Sequence, residues 1–543
     1  MAEYLLPPMK WNAWGDPRQA KPLSEGIRSL LKQALGVTGA QRGERNDITV
    51  DQVELRPSQL ADEHREALAA IVGSGYCRVG DRDRLLHAGG KSTLDLLRRN
   101  DSGVQEAPDA VLLPGGTEHE DAEDQVASIL RYCSQHGIAV VPFGGGTSVV
   151  GGLDPIRGEF SAVVSLDLRR FDQLFAFDAV SGEAEFGAGA TGPQAEQLLA
   201  EHGFSLGHFP QSFEFASLGG YAATRSSGQD SAGYGRFDDM IRGLHVITPA
   251  GALNLGRAPQ SAAGPDLRQL LIGSEGVFGI ITRVRVRVHP VPDVTRYEAW
   301  SFPDFATGTT ALRAITQTGT GPTVVRLSDE AETGINLATT EAIGETQITG
   351  GCLAITVFEG TAAHTESRHA ETRELMAALG GTSLGEGPAR AWEHGRFGAP
   401  YLRDSLLAAG ALCETLETAT DWSNIPALKA AVTDALTAAL AESGTPALVL
   451  CHISHVYATG ASLYFTVVAG QRGNPIEQWR AAKAAACNAI VATGGTITHH
   501  HAVGADHRPW MRDEIGDLGV QVLRAVKSTL DPAGILNPGK LIP

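Results

Sequence analysis

The feature that most restricts what this chain can fold into is the run Pro142-Phe143-Gly144-Gly145-Gly146-Thr147-Ser148, placed directly after the apolar stretch Ile138-Ala139-Val140-Val141. The apolar stretch, ended by proline, predicts a short buried strand. Three consecutive glycines then let successive backbone N–H groups turn inward into a concave nest suited to phosphate oxygens, and Thr147 and Ser148 can add hydroxyl donors. No Lys follows in Walker order, and the spacing is not that of the G-x-G-x-x-G fingerprint. Taken alone, the run is equally compatible with a glycine-rich turn that binds nothing.

The flanking residues extend a helix-and-sheet framework. Residues 109–114 predict a buried strand, 124–136 a helix, and 138–142 the strand that enters the loop. Upstream, apolar spacing predicts a helix over 58–71, and Ser92-Thr93 stands where a cap would start the next one. Downstream, strands are expected at 161–166 and 183–188 and a helix at 194–202. The stretch TRVRVRVH at 282–289 alternates strictly, which predicts a strand with Arg283, Arg285 and Arg287 on its exposed face. VHPVPD then reads as a boundary. Beyond it, strands such as 352–358 alternate with alanine-rich helices such as 427–441, and the tail at 531–540 is rich in turns.

Composition narrows the function classes. At 543 residues the chain exceeds one ordinary core. It holds 64 glycines, where average usage of about 7% would give roughly 38; they cluster at tight turns and close approaches. A net charge of -18 argues against a nucleic-acid binder and against broad attachment to anionic lipid. A small anionic substrate remains compatible, because a few local cations can act inside an acidic protein. The six cysteines are scattered with no C-x-x-C pair, as expected of reduced thiols. No signal-peptide pattern and no apolar run of membrane-spanning length is present, so a cytoplasmic protein is expected, with contact at a membrane surface left open.

Two further loops repeat the chemistry of the first. PQSFEFASLGG at 210–220 leads into TRSSG at 224–228, and GSEGVFGII covers 273–281. In this order and spacing the three loops resemble the FAD-binding domain of the vanillyl-alcohol-oxidase-type flavoproteins. Reading outward, MKWNAWG (9–15), VRL (325–327), YLRD (401–404), GASLYF (460–465) and THHHAVG (498–504) look like the alkyldihydroxyacetonephosphate synthases, the family that makes the ether bond of ether lipids. These matches cover nearly the whole chain.

The resemblance implies an α+β fold with a two-part FAD-binding domain and an α+β cap, or substrate, domain. The implied divisions are a largely helical segment over 1–105, the FAD-binding domain over 106–290, the cap over 291–505, and a segment over 506–543 that returns to the FAD-binding domain. It implies non-covalent FAD held by Pro142, Phe143, Gly144, Gly145, Gly146, Thr147 and Ser148, and by Gln211, Ser212, Phe213, Glu214, Phe215, Ala216 and Ser217. Thr224, Arg225, Ser226 and Ser227, with Ser274, Glu275, Gly276, Val277, Phe278, Gly279, Ile280 and Ile281, complete that set. Tyr464 is implied as the acid/base tyrosine, with His499, His500 and His501 needed for activity; Arg403 would contact the substrate phosphate, with Arg326 beside it. The implied reaction replaces the fatty acid of an acyl-dihydroxyacetone phosphate by a fatty alcohol, through a flavin-nitrogen adduct and with no net redox change. Lipid-derived substrates, no nucleic acid, a homodimer and peripheral membrane contact complete the expectation.

Those roles suit the residue types. Arg holds phosphate bidentately at any working pH, imidazole titrates near neutrality, and a tyrosine can donate to a developing oxyanion. Without the resemblance, Tyr464 reads as part of a core strand, Arg403 as a partner of Asp404, and Arg326 as a structural strand residue. Three adjacent histidines on a strand alternate faces, so no metal site is expected there and at most His499 and His501 share a face unless the segment is a loop. The triplet reads as a proton-handling cluster. Gln211 stands where the family commonly has Asp, Ser217 replaces a Thr, and 142–148 offers no His or Cys for a covalent flavin link. The alternative is an FAD-dependent 2-hydroxy-acid dehydrogenase or oxidase. Its relatives carry an H-x-x-D-G-N-x-H-like segment and an E-H-G-I-G loop, where this chain has HVYATG at 455–460 and HHHAVG at 499–504.

Overall fold

Three sheets organise the computed structural model, which describes residues 9–38, 48–101, 103–116, 119–335 and 350–543. Of the expected N-terminal segment, residues 1–8, 39–47 and 102 lie outside the described residues. The first sheet contains β1 (Cys77–Arg78), β2 (Ala110–Leu112), β3 (Ile138–Phe143) and β4 (Ala162–Asp167), in the spatial order β1–β2–β4–β3. β2, β4 and β3 are parallel, and the helix His119–His136 makes the crossover from β2 to β3. Parallel strands are covered on both faces, so β3 is apolar throughout and buried along nearly all its length. Its free edge is closed by the C-terminal tail: Val140 N–H donates to the Ile535 carbonyl at 2.9 Å, and Asn537 N–H donates to the Val140 carbonyl at 2.8 Å.

Next come β5 (Leu174–Asp178), β6 (Glu183–Gly187), β7 (Phe204–Ser205), β8 (Ile241–Thr248), β9 (Gly251–Leu255), β10 (Ile280–Arg287) and β11 (His289–Pro290). β7 and β11 form a short ribbon, and the others an antiparallel sheet ordered β5–β6–β10–β8–β9. β10 shows the alternation expected from TRVRVRVH, but only Arg287 is exposed. Arg283 is half-buried on Glu123 at 3.1 Å, and Arg285 lies 3.8 Å from Glu183. Glu123 and Glu183 draw Arg283 and Arg285 into ion pairs, so only Arg287, at the strand's end, stays exposed.

The third sheet is antiparallel and seven-stranded. Its members are β12 (Val294–Phe302), β13 (Val324–Ser328), β14 (Cys352–Gly360), β15 (Thr382–Gly385), β16 (Ala411–Asp421), β17 (Ala447–Ile453) and β18 (Gly460–Gly470), ordered β15–β12–β14–β13–β17–β18–β16. The helices Phe305–Thr318, Ile425–Glu442 and Pro475–Ala492 pack on it, burying Trp300, Leu312, Leu428, Val432, Trp479 and Ile490. The expected cap at Ser92 is present. Its hydroxyl accepts Asp95 N–H at 3.0 Å, and Asp95 accepts Ser92 N–H at 3.0 Å, starting the helix Thr93–Arg99. The helix Glu25–Leu35 lays Ile27, Leu31 and Leu35 against Leu402, Leu406 and Val468.

Candidate active site

Strand periodicity decides which cap side chains reach the site. On β18, Leu463, Phe465 and Val467 enter the helix-covered core, whereas Tyr464, Thr466 and Val468 line a cavity of about 420 Å³. The same cavity takes Arg326 from β13, His452 from β17 and Thr415 from β16. Its other wall is the glycine loop, with all seven residues of 142–148 lining it, joined by Gln211, Ser212, Ala216, Ser217, Thr224, Ser226, Ser227, Glu275, Gly276, Gly279, Ile280 and Ile281.

The glycines answer to a close approach between chain segments. A Cβ on Gly145 would lie 2.0 Å from the Phe215 carbonyl oxygen, and one on Gly144 would lie 2.4 Å from Ser217 Oγ. Gly146 has φ +71°, a left-handed conformation that favours glycine. Among the described residues, no backbone N–H of 144–148 donates to a backbone or side-chain acceptor, which leaves a row of donors for an anionic group. A donor-rich loop on a large cavity fits a diphosphate-bearing cofactor such as FAD.

Several residues expected at the cofactor do not line the cavity. Val277 and Phe278 are core residues, and Phe213 stacks on Phe397 at 5.6 Å between centroids. Phe215 packs edge-on against Trp14 at 5.8 Å, and Glu214 lies 3.5 Å from the Tyr401 hydroxyl. Arg225 turns away to Asp238 at 2.8 Å, and Ser274 is buried outside the lining. Helical and core packing claimed these side chains, and a linear motif does not distinguish them from contacting ones. Ser217 lines the cavity while its hydroxyl caps the helix Leu218–Thr224. Glu275 does the same with its carboxylate bound to the N–H groups of Val503 and Gly504 at 3.1 and 2.9 Å. Burial pushes its carboxyl up to about 7.

The polar end of the cavity gathers the other candidates. Arg403 lines it with Nη1 donating to the Lys91 carbonyl at 2.7 Å and Nη2 3.2 Å from Asp404. Asp404 in turn accepts the Trp14 N–H at 2.5 Å, so the N-terminal segment helps aim the guanidinium. Arg326 pairs with the fully buried Glu332, and its Nη1 lies 3.2 Å from His452 Nε2. His452 Nδ1 is 3.0 Å from Glu332, and its ring stacks on Tyr464 at 4.8 Å. Burial pushes the Tyr464 phenol up to about 12, so it holds its proton through the neutral range.

His499, His500 and His501 lie in a bend, not a strand, so the alternation expected of a strand does not hold. His500 and His501 line the cavity; His499 lies behind them, its Nε2 2.5 Å from the Tyr457 hydroxyl. Burial holds His500 well below the ordinary imidazole range and lowers His501 too, against the opposing pull of Glu417. His455 joins from the loop before β18, with Nδ1 2.9 Å from Ser227 Oγ and 2.7 Å from Ser231 Oγ. Ring nitrogens of His455, His499 and His500 lie within 4.8 Å of one another, a grouping that could hold a metal ion. His499 Nδ1 and His500 Nδ1 are 2.9 Å apart, a hydrogen-bonded pair.

Sequence reading missed Glu332, His452, His455 and Glu417. None carries a recognisable motif: strand pairing brings Glu417 and His452 opposite Tyr464, a short helix after β13 brings Glu332 to Arg326, and the loop before β18 brings His455.

Comparison with known proteins gives the family. Residues 119–255 match the family model described as FAD binding domain, and 291–541 match FAD linked oxidases, C-terminal domain. p-Cresol methylhydroxylase shares the fold, with a TM-score of 0.65 at 16% identity over 88% of this chain and 96% of that one. The class is thus an FAD-binding enzyme that pairs an FAD binding domain with an FAD-linked-oxidase C-terminal domain. Alkyldihydroxyacetonephosphate synthase of Trypanosoma brucei brucei is 32% identical over 98% of this chain and 92% of its own length. That of Dictyostelium discoideum is 31% identical over 98% and 93%. A solved alkyldihydroxyacetonephosphate synthase superposes with a TM-score of 0.81 at 28% identity, covering 98% of this chain and 99% of that one. The chain belongs to the alkyldihydroxyacetonephosphate synthase family. A mitochondrial D-lactate dehydrogenase of Arabidopsis thaliana is more distant, at 27% identity over 80% of this chain and 74% of its own length.

Proposed function

We propose that the protein replaces the fatty acyl group of an acyl-dihydroxyacetone phosphate with a fatty alcohol, forming an ether bond without net redox change. One observation carries the reading: a single cavity joins the glycine loop, Arg403, Tyr464 and His500–His501 to an apolar lining of Ile27, Leu30, Leu31, Leu402, Leu406 and Val468. A phosphate-bearing headgroup and a hydrocarbon chain need that combination.

Residues 142–148 and the loops around Ser212, Ser227 and Gly276 would hold FAD non-covalently, and the bound flavin would supply a nucleophilic nitrogen for the three-carbon unit. The chain's own residues do the rest. Arg403 binds the phosphate, held in place by Asp404 and the Lys91 carbonyl. Arg326, fixed by Glu332 and His452, positions the polar end of the substrate. His500 and His501, neutral through burial, take a proton from the substrate carbon and return it. Tyr464, protonated through burial, donates to the oxygen on which charge develops. The apolar arm excludes water and aligns the alcohol.

The test incubates the FAD-loaded protein with palmitoyl-dihydroxyacetone phosphate and hexadecanol. Ether product with no peroxide and no reduced acceptor is expected. Flavin bleaching by D-lactate or D-2-hydroxyglutarate, with no ether product, would replace this reading by the dehydrogenase one.

A further inference from the structure

Glu417 takes no part in the proposed chemistry as described, yet its carboxylate is bound by three donors of the histidine loop. It lies on β16 directly opposite Tyr464 of β18, and its side chain is fully buried. It accepts Thr498 Oγ1–H at 2.6 Å and the N–H of His501 at 2.8 Å, together with the N–H of His499. His500 Nδ1 and His501 Nδ1 face it at 3.7 and 3.8 Å. Glu275 holds the other end of the same loop through Val503 and Gly504. Ala502, between the two clasps, has φ +73°, a costly conformation for a residue with a side chain, kept only where surroundings over-determine it.

The neighbouring charges have partners of their own. Arg236 pairs with Asp238 and donates to the His499 carbonyl at 3.0 Å, Lys483 lies 3.1 Å from Asp506, and Glu414 accepts the N–H groups of Thr93 and Thr415. Among the described residues no Lys or Arg bridges Glu417; its ionic neighbours are imidazoles. A buried carboxylate without a cation is costly unless hydrogen bonds and a nearby positive charge compensate it. Three hydrogen bonds supply the first in the resting site. A protonated imidazole supplies the second when a histidine accepts a proton.

We propose that Glu417 is the positioning residue of the histidine loop: it sets the loop's backbone and holds the fixed negative charge against which His500 or His501 carries a proton taken from the substrate and later returned. This rests on the transferase reading above. The arrangement parallels a carboxylate that orients a catalytic imidazole and stabilises its charged form without itself being protonated.

Glu417→Gln tests it, because the amide keeps an acceptor and the shape but removes the charge. The expected variant retains FAD and lowers kcat for ether formation about 10²-fold or more, with KM for the acyl substrate within about threefold. Thr498→Val, which removes one hydrogen bond and leaves the charge, should stay within about fivefold of the wild-type kcat. A Glu417→Gln enzyme of wild-type kcat, or one whose main change is a raised KM, overturns the proposal. Where the Gln variant does not fold, Glu417→Asp carries the test: the charge displaced by one methylene should lower kcat at least about tenfold with FAD content unchanged, and an unchanged kcat overturns it. If the wild type makes no ether, the functional reading falls separately. Glu417 is then judged by 15N-imidazole NMR, where Glu417→Gln should move the titration of His500 and His501 down by about one pH unit or more; an unmoved titration overturns the proposal.

Discussion

Tyr464 shows how a residue's surroundings set its role. Alone it is one aromatic in a strand, but its ring is held between His452 at 4.8 Å and His501 at 5.6 Å, with its phenol raised by burial to about 12. Tyr464→Phe should keep the yellow FAD absorbance and melting temperature while ether formation falls by about 10²–10⁴; a product assay beside the flavin spectrum checks it. His208 gives a pH prediction free of catalysis. It is fully buried against Tyr221 and Phe237, its Nε2 3.1 Å from Ser226 Oγ, and burial pushes it down to about 3. Its folded form resists a proton that the unfolded chain accepts below about pH 6.5. Its neutral burial therefore costs no stability above that pH and up to about 1.4 kcal/mol per pH unit as the pH falls from 6.5 toward 3. His208→Phe should lose less melting temperature than the wild type between pH 7 and pH 4. A pH series by scanning calorimetry reads this directly.

At the scale of elements, the loop 142–148 and the segment 215–217 are one device. Two chain segments meet so closely that Gly145 has no room for a side chain, its Cβ position lying 2.0 Å from a carbonyl oxygen. Gly145→Ala should push them apart, yielding protein with at most about a tenth of the wild-type FAD content after purification. The ratio of absorbance near 450 nm to that at 280 nm measures it, and a fully loaded variant would show that the approach is not needed for the cofactor. The histidine bend works similarly. Glu417 clasps one end and Glu275 the other, so its geometry belongs to two distant acidic residues and not to the triplet.

For the molecule as a whole, the cavity exists because the cap sheet faces the FAD-binding sheets and the first helix closes one side. Leu31 of that helix is buried and lines the cavity. Leu31→Trp should fill the apolar arm and favour shorter alcohols. Each methylene displaced from apolar contact forfeits about 0.8 kcal/mol, so the kcat/KM ratio of decanol over hexadecanol should rise at least about tenfold. Competition between the two alcohols, read by mass spectrometry of the ether products, checks this; an unchanged ratio would place the chain elsewhere. None of the helices among the described residues is long and apolar enough to cross a membrane.

By itself, the sequence determined the strand into the glycine run, the Ser92 cap, the sheet-and-helix alternation and the family, because local propensity and short motifs are carried by neighbouring residues. It also picked out Arg403, Tyr464 and His500–His501, all of which line the cavity. It could not separate them from Arg225, Val277 or Phe278, whose motifs look alike but whose side chains were taken by an ion pair or the core. Nor could it show Glu417, His452 or Glu332. Their importance comes from register: Glu417 and His452 each lie opposite Tyr464 on neighbouring strands, and Glu332 is buried against Arg326. Only the tertiary structure decides such pairings, because hydrogen-bond ladders and core packing set which residues from distant parts of the chain face one another.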